Sequence, residues 1–425
     1  MTDSQRRSLL ALVWGHRLFG DGDVSAPDGD ASVVSPGYAT EVSSGGESPV
    51  VPDFVNAAVR CGDTVLHGAV RIDSRSSLWR DEGGMTDPGF DGVAFHVVGE
   101  RDRVLVRDGR EVRTLVLTPD PELKALYGEL LDQSLRVGIG CAGFFGGLAV
   151  AERGQILSRL VADRLRRKSA EVEKIRAELG GDWDQTAYVC YLRSLGMGEK
   201  KRSYEALARS IPLRCFVRCA GDVRQAEALL MGQSGYLTVA SAADPGIRQL
   251  QDIYLSLKEE YGLRRPVVSW AGAGVRPSSL PPSMLGRAAS LLARVPLLAG
   301  RVKAVSLGGM ESLRDLFGHA EAGTSPEKVD LRIVNFVIPL LTAMGREAGD
   351  AAVQERALAL YDEVAPEVNR YTRLWSEAFD LRSAFDSQAV IQLCTEYCAR
   401  GRCGECPVGA LRLVRLWKGL GMDDR

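Results

Sequence analysis

The residues best suited by type and spacing to do chemistry lie near the end of the chain. In Cys394-Thr-Glu-Tyr-Cys398-Ala-Arg-Gly-Arg-Cys403-Gly-Glu-Cys406-Pro407, four of the nine cysteines fall within thirteen residues. The last pair is a Cys-x-x-Cys knuckle with Gly404 inside it and Pro407 after it. Such a turn aims two sulfurs at one centre, as a tetrahedral metal or an iron–sulfur cube requires. Spacing does not separate Zn²⁺ from a [4Fe–4S] cluster. Either would be structural, because a full thiolate shell leaves no open position for chemistry. Cys394 precedes Cys398 by one helical turn and would share its helix face. Inert buried thiols are a poor account of three cysteines in nine residues around Gly and Pro. Cys61, Cys190, Cys215 and Cys219 read as core or surface thiols.

The elements that must position these sulfurs are legible in outline. At 425 residues the chain is long enough for two or three domains. It is 45% hydrophobic and 25% charged, ordinary for a globular protein. A net charge of −2 gives no global basic field, so any contact with nucleic acid must come from a local patch. No apolar run reaches the ~20 residues that a membrane span needs, so no membrane is expected. Residues 8–19 are apolar but lack a cleavage site, and they read as an amphipathic first helix. Clustered thiols without an export signal point to the cytoplasm and to metal.

Residues 20–50 read as an acidic loop, rich in Gly, Ser, Pro and Asp. From 53 to 118 the period is two, with strands expected at Phe54–Cys61, Thr64–Asp73, Val93–Val98, Val104–Arg107 and Arg113–Leu117. Gly62-Asp63 and Asp108-Gly109 are hairpin turns, so the sheet is at least partly antiparallel. After Pro121 the pattern is helical, with a Gly-rich break at 138–147 around Cys141. A long helix over 153–179 follows, its polar face carrying Arg153, Arg159, Arg164, Arg166, Arg167, Lys168 and Lys174. With Lys200, Lys201 and Arg202, this is the one local patch able to track a phosphate backbone. The alternative is a solvated helix face with pairs such as Glu171–Lys174. Further helices fit 203–210, 222–232, 247–261, 283–295, 310–317, 329–344, 350–363 and 385–400. No Gly-x-Gly-x-x-Gly follows an expected strand, and there is no phosphate loop or Ser-His-Asp set.

Several runs together are specific. Glu227-Ala-Leu-Leu-Met-Gly-Gln-Ser-Gly235, Leu257-Lys-Glu-Glu-Tyr261, Arg276-Pro-Ser-Ser-Leu-Pro281, Pro52-Asp53-Phe54, Gly181-Asp182-Trp183 and Cys403-x-x-Cys406-Pro407 resemble a bacterial family, domain of unknown function 2851. The resemblance implies Cys398, Cys403 and Cys406 as metal ligands. It offers Cys141, beside Cys394, as the other candidate for the fourth.

It also implies that the first sheet is similar to the Asp…Glu-x-Lys nuclease superfamily. There an Asp at the start of one strand and a Glu on the next converge on one sheet edge. They hold a hard cation such as Mg²⁺, which lowers the pKa of the attacking water. Pro52-Asp53-Phe54 matches the first element. The second, Val-Glu-x-His in the family, is Val70-Arg71-Ile72-Asp73 here. Arg71 has no lone pair to offer a metal. Asp73, on the same strand face, would supply the second carboxylate for Mg²⁺, or Arg71 would form an ion pair with Asp53 and leave no metal site. Asp91 and His96 would reach the same edge.

The reading is therefore α+β. It expects a nuclease-like mixed sheet with flanking helices over 1–120, a large all-helical domain over 121–385 and a cysteine knuckle over 386–425. The function expected is a nuclease-like, DNA-directed protein whose divalent-metal site is altered. If active, it would be a Mg²⁺-dependent phosphodiesterase. The alternative is a non-enzymatic interaction scaffold whose metal only stabilises the fold.

Overall fold

The structure is a computed structural model that describes residues 1–20, 22–27, 31–40, 51–137, 140–237, 244–270, 280–321 and 324–419. Its contacts divide the chain into two compact units. One is Met1–Arg167 with Val368–Arg425, and the other is Lys168–Glu367.

The first unit opens with α1 (Asp3–Gly15), capped by Thr2 and Gln5 in a reciprocal capping box. A sheet follows, built from β1 (Val24–Ser25), β2 (Ala31–Ser35), β3 (Tyr38–Ala39), β4 (Phe54–Cys61) and β5 (Thr64–Arg75). After α2 (Ser77–Asp81) come β6 (Val93–Glu100), β7 (Val106–Arg107), β8 (Arg110–Glu111) and β9 (Thr114–Leu117). The main sheet runs β1-β9-β6-β5-β4-β2, with β3 also on β4. β4 and β5 form the antiparallel hairpin read at Gly62-Asp63. β6 then joins β5 in parallel, and β9 joins β6 in parallel. The sheet is thus mixed, as expected. The Asp108-Gly109 turn also forms, closing the β7–β8 hairpin with both residues at positive φ.

The loop expected over 20–50 is corrected in part. β2 lies within it and pairs with β4. Its Ala-Ser-Val-Val-Ser sequence alternates in burial, but Gly, Pro and Asp on either side hide that alternation. Most of the loop's acidic residues lie outside the described residues, as do 276–279 of the Arg276–Pro281 motif.

The same unit holds α3 (Pro121–Val137), α4 (Ala142–Gly146) and the start of α5 (Val150–Glu178). The second unit is helical: α6 (Trp183–Leu195), α7 (Lys200–Arg209), α8 (Leu213–Arg218), α9 (Val223–Gln233), α10 (Pro245–Tyr261), α11 (Pro281–Arg294), α12 (Leu298–Leu307), α13 (Met310–Ala320), α14 (Pro326–Arg332), α15 (Ile338–Ala348) and α16 (Ala351–Glu363). A π turn at Ile333–Val337 joins α14 to α15. The chain then rejoins the first unit with α17 (Arg370–Ser376), α18 (Ala384–Gln392) and α19 (Pro407–Gly419). Among the described residues, no helix is long and apolar enough to cross a membrane.

Candidate functional site

Asp53 sits one residue before β4, where a bulge shapes the strand. Phe54 pairs with Val70 but Ala57 pairs with Gly68, so β4 carries one extra residue. Asn56 takes up the irregularity at φ 57°, a left-handed conformation that Asn tolerates better than most residues. The Asp53 amide then donates to Val70 O at 2.8 Å, and Ile72 N returns a bond to Asp53 Oδ2 at 2.7 Å. The other carboxylate oxygen accepts from Arg7, on α1, whose Nε donates to Ile72 O at 2.8 Å. α1 lies on the sheet through Leu9, Leu10, Leu12, Val13 and Trp14, all buried, and its Asp3 accepts from Ser74 Oγ at 2.8 Å.

Asp73 is 1% exposed. Arg71, two residues back on the same strand face, grips it in a fork: Nε to Oδ2 at 3.0 Å and Nη2 to Oδ1 at 2.9 Å. The same Nη2 donates to Glu82 Oε2 at 2.8 Å. His96, fully buried on β6 and in register with Arg71, places Nε2 3.0 Å from Asp73 Oδ2. Its Nδ1 has no hydrogen-bond partner among the described residues, and its ring lies edge-on to Trp79 at 4.9 Å. A proton on Nε2 fits this, since it leaves an acceptor unmatched rather than a donor.

The two aspartates titrate in opposite directions. Burial dominates at Asp53 and raises it above the usual carboxylate value, against the pull of Arg7 and Arg71. Burial also opposes charge on Asp73, but the hydrogen bonds from His96 and Arg71 together outweigh it, and Asp73 is held below that value.

Four of the five residues read as one site, Asp53, Arg71, Asp73 and His96, thus meet in one network. Asp91 does not join them: it is exposed at the head of β6 and paired with Arg107. Arg7 does, and the sequence reading missed it. It lies on a helix far back in the chain, and only the docking of that helix brings it to the strand.

The network does not fit Mg²⁺. Each oxygen of Asp53 and Asp73 already accepts a hydrogen bond from the chain. The Arg71 guanidinium lies among the acidic groups a cation would need, and like charges repel at such range.

The cysteines form a second site in the same unit. Cys141, at the head of α4, meets Cys398, Cys403 and Cys406 around one cavity of about 10 Å³, with Ser134 and Gly409 in its wall. Cys141, Cys403 and Cys406 are buried. α18 runs into a π turn at Leu393–Tyr397, and Cys398 begins a tight turn that ends at Gly401 with φ 63°. Cys406 directly precedes α19, and its Sγ accepts from Gly409 N at 3.4 Å. Cys403 Sγ lies 3.5 Å from Ser134 Oγ. Burial pushes the Cys141 thiol up to about 12 and Cys403 up to about 11. Cys394 is not in the cavity wall, and its partner is Cys398. No group of three His, Cys, Asp or Glu among the described residues is set at distances that hold a metal ion.

The basic face of α5 is largely committed within the chain. Arg153 donates to the carbonyls of Gly146 and Leu148, Arg164 to Gln388, Arg166 to Asp163 and Arg167 to Gln392.

The fold and these two sites define an α+β protein with a neutralised carboxylate network on a mixed sheet and a thiol-lined cavity in the same unit. The chain belongs to the family described as "Protein of unknown function (DUF2851)", whose family model matches residues 7–324. The match takes in Arg7, Asp53, Arg71, Asp73, His96 and Cys141 and ends before Cys394. No curated protein and no solved structure matches.

Proposed function

We propose that this is a nuclease-like protein directed to DNA that does not hydrolyse it. The observation that carries the reading is the Arg71 guanidinium, forked onto Asp73 and shared with Glu82, where the nuclease pattern calls for a metal-binding carboxylate. An Asp opening one strand and a second Asp on the next, meeting through a hairpin, supports the kinship. An arginine in place of a divalent ion cannot lower the pKa of a bound water, so hydrolysis through that route is lost. The cysteine cavity serves the fold rather than the chemistry.

The test is a nuclease assay with Mg²⁺ and Mn²⁺ on single- and double-stranded DNA, with Asp53→Ala beside the wild type. No cleavage by the wild type, together with salt-sensitive DNA binding, is expected. Cleavage that disappears in Asp53→Ala would overturn the reading.

A second reading is an interaction scaffold without nucleic acid. The commitment of Arg153, Arg164, Arg166 and Arg167 to intramolecular bonds favours it, because those groups are withdrawn from any phosphate-tracking stripe. Failure to bind DNA at any salt concentration would select this reading over the first.

A further inference from the structure

We infer that Cys141, Cys398, Cys403 and Cys406 together hold a thiophilic metal centre, a single zinc ion or an iron–sulfur cluster, and that Cys394 is not one of its ligands. The inference stands apart from the reading of the sheet.

Four thiols from two distant segments border one small cavity. Cys141 comes from the head of α4, and the other three come from the turn before α19, more than 250 residues later in the chain. Chance burial of single cysteines does not bring four to one space. Besides the four cysteines, the cavity is lined by Ser134, Trp375, Leu393, Tyr397 and Gly409. A donor set of sulfur without carboxylate or imidazole selects soft ions.

The surrounding backbone is shaped for it. A Cβ on Gly409 would stand 2.5 Å from Cys403 O, and one on Gly404 2.3 Å from Ser8 O, so the knuckle closes only with glycine at both positions. Gly409 N already points at Cys406 Sγ, as an amide supporting a thiolate would. The thiols border the space without converging at single-ion distances. Binding would turn inward four side chains that already face one cavity. A zinc ion would draw the sulfurs to about 2.3 Å from itself, whereas a cluster would leave them farther apart. Cys394 hydrogen-bonds Cys398 and does not line the cavity.

The experiment is metal and acid-labile sulfide analysis of the full chain purified without oxygen, with an absorption spectrum, for wild type, Cys394→Ser and Cys141→Ser. About one zinc per chain and no colour, or iron with equal sulfide and a brown absorbance, supports the centre and tells the two metals apart. Cys394→Ser retains the wild-type content, and Cys141→Ser loses most of it. Should Cys141→Ser fail to fold, the wild-type content and Cys394→Ser still decide. Wild type free of zinc, iron and sulfide overturns the inference, and loss of metal in Cys394→Ser overturns the ligand set.

Discussion

Arg71 and Asp73 form a charge pair that tolerates no single deletion. Asp73→Asn leaves the Arg71 guanidinium, only 12% exposed, with Glu82 as its remaining acidic contact. Removing one member of a buried pair costs about 3 kcal/mol, so Asp73→Asn should lower the unfolding free energy from denaturant titration by that amount at neutral pH. The acid limb follows from the direction of the shift. Asp73 is held below its unfolded value, so its contribution is complete above the ordinary carboxylate range and is lost as pH falls through its folded pKa. The gap between wild type and Asp73→Asn should therefore shrink on acidification. Asp53 is raised, and its sign is opposite. It costs stability once pH exceeds its folded value, and Asp53→Asn should be best tolerated at neutral pH. A gap for Asp73→Asn that widens in acid would refute the assignment.

Asp53, Asp73 and His96 could be placed at one sheet edge through the resemblance to the nuclease pattern, with strand period setting Arg71 and Asp73 on one face; Glu82, which pairs with Arg71, gave no such signal. Arg7 could not. Its link to Asp53 spans 46 residues, and no local rule ties a helix arginine to a later strand. Cys141 was within reach only as a candidate, since its sequence neighbours give no sign of the carboxy-terminal knuckle.

At the scale of elements, two positions have backbone or space for little else. Asn56 holds the β4 bulge at positive φ, so Asn56→Val should cost about 1–2 kcal/mol while Asn56→Gly stays near wild type, both by chemical denaturation. Gly404→Ala must move the knuckle off α1, at a cost of about 1–3 kcal/mol by the same measurement. Long, strongly periodic helices such as α5, α10 and α16 were apparent from their apolar stripes. α8, α12, α17 and α19 were not. α8 and α17 are short, and α19 begins directly behind the knuckle. β2 was hidden by turn-forming neighbours, and its partner β4 supplied what its own sequence did not signal.

At the scale of the whole molecule, Val368–Arg425 returns to the unit that the first residues begin. Loss of the inferred metal should therefore be felt at both ends of the chain. Amide hydrogen exchange before and after metal stripping should rise in 3–15 and 398–417 and stay level in 168–367. A uniform change across the chain would contradict this.

α1 links these regions. One of its residues, Arg7, braces Asp53. Another, Ser8, lies against Gly404, and Gln5 accepts from Tyr127 at 3.1 Å. A helix clasped from two sides can satisfy both neighbours in one position only. Oxidative damage to the sulfurs would thus announce itself remotely, as a displaced proton equilibrium at an aspartate some 350 residues upstream in the chain.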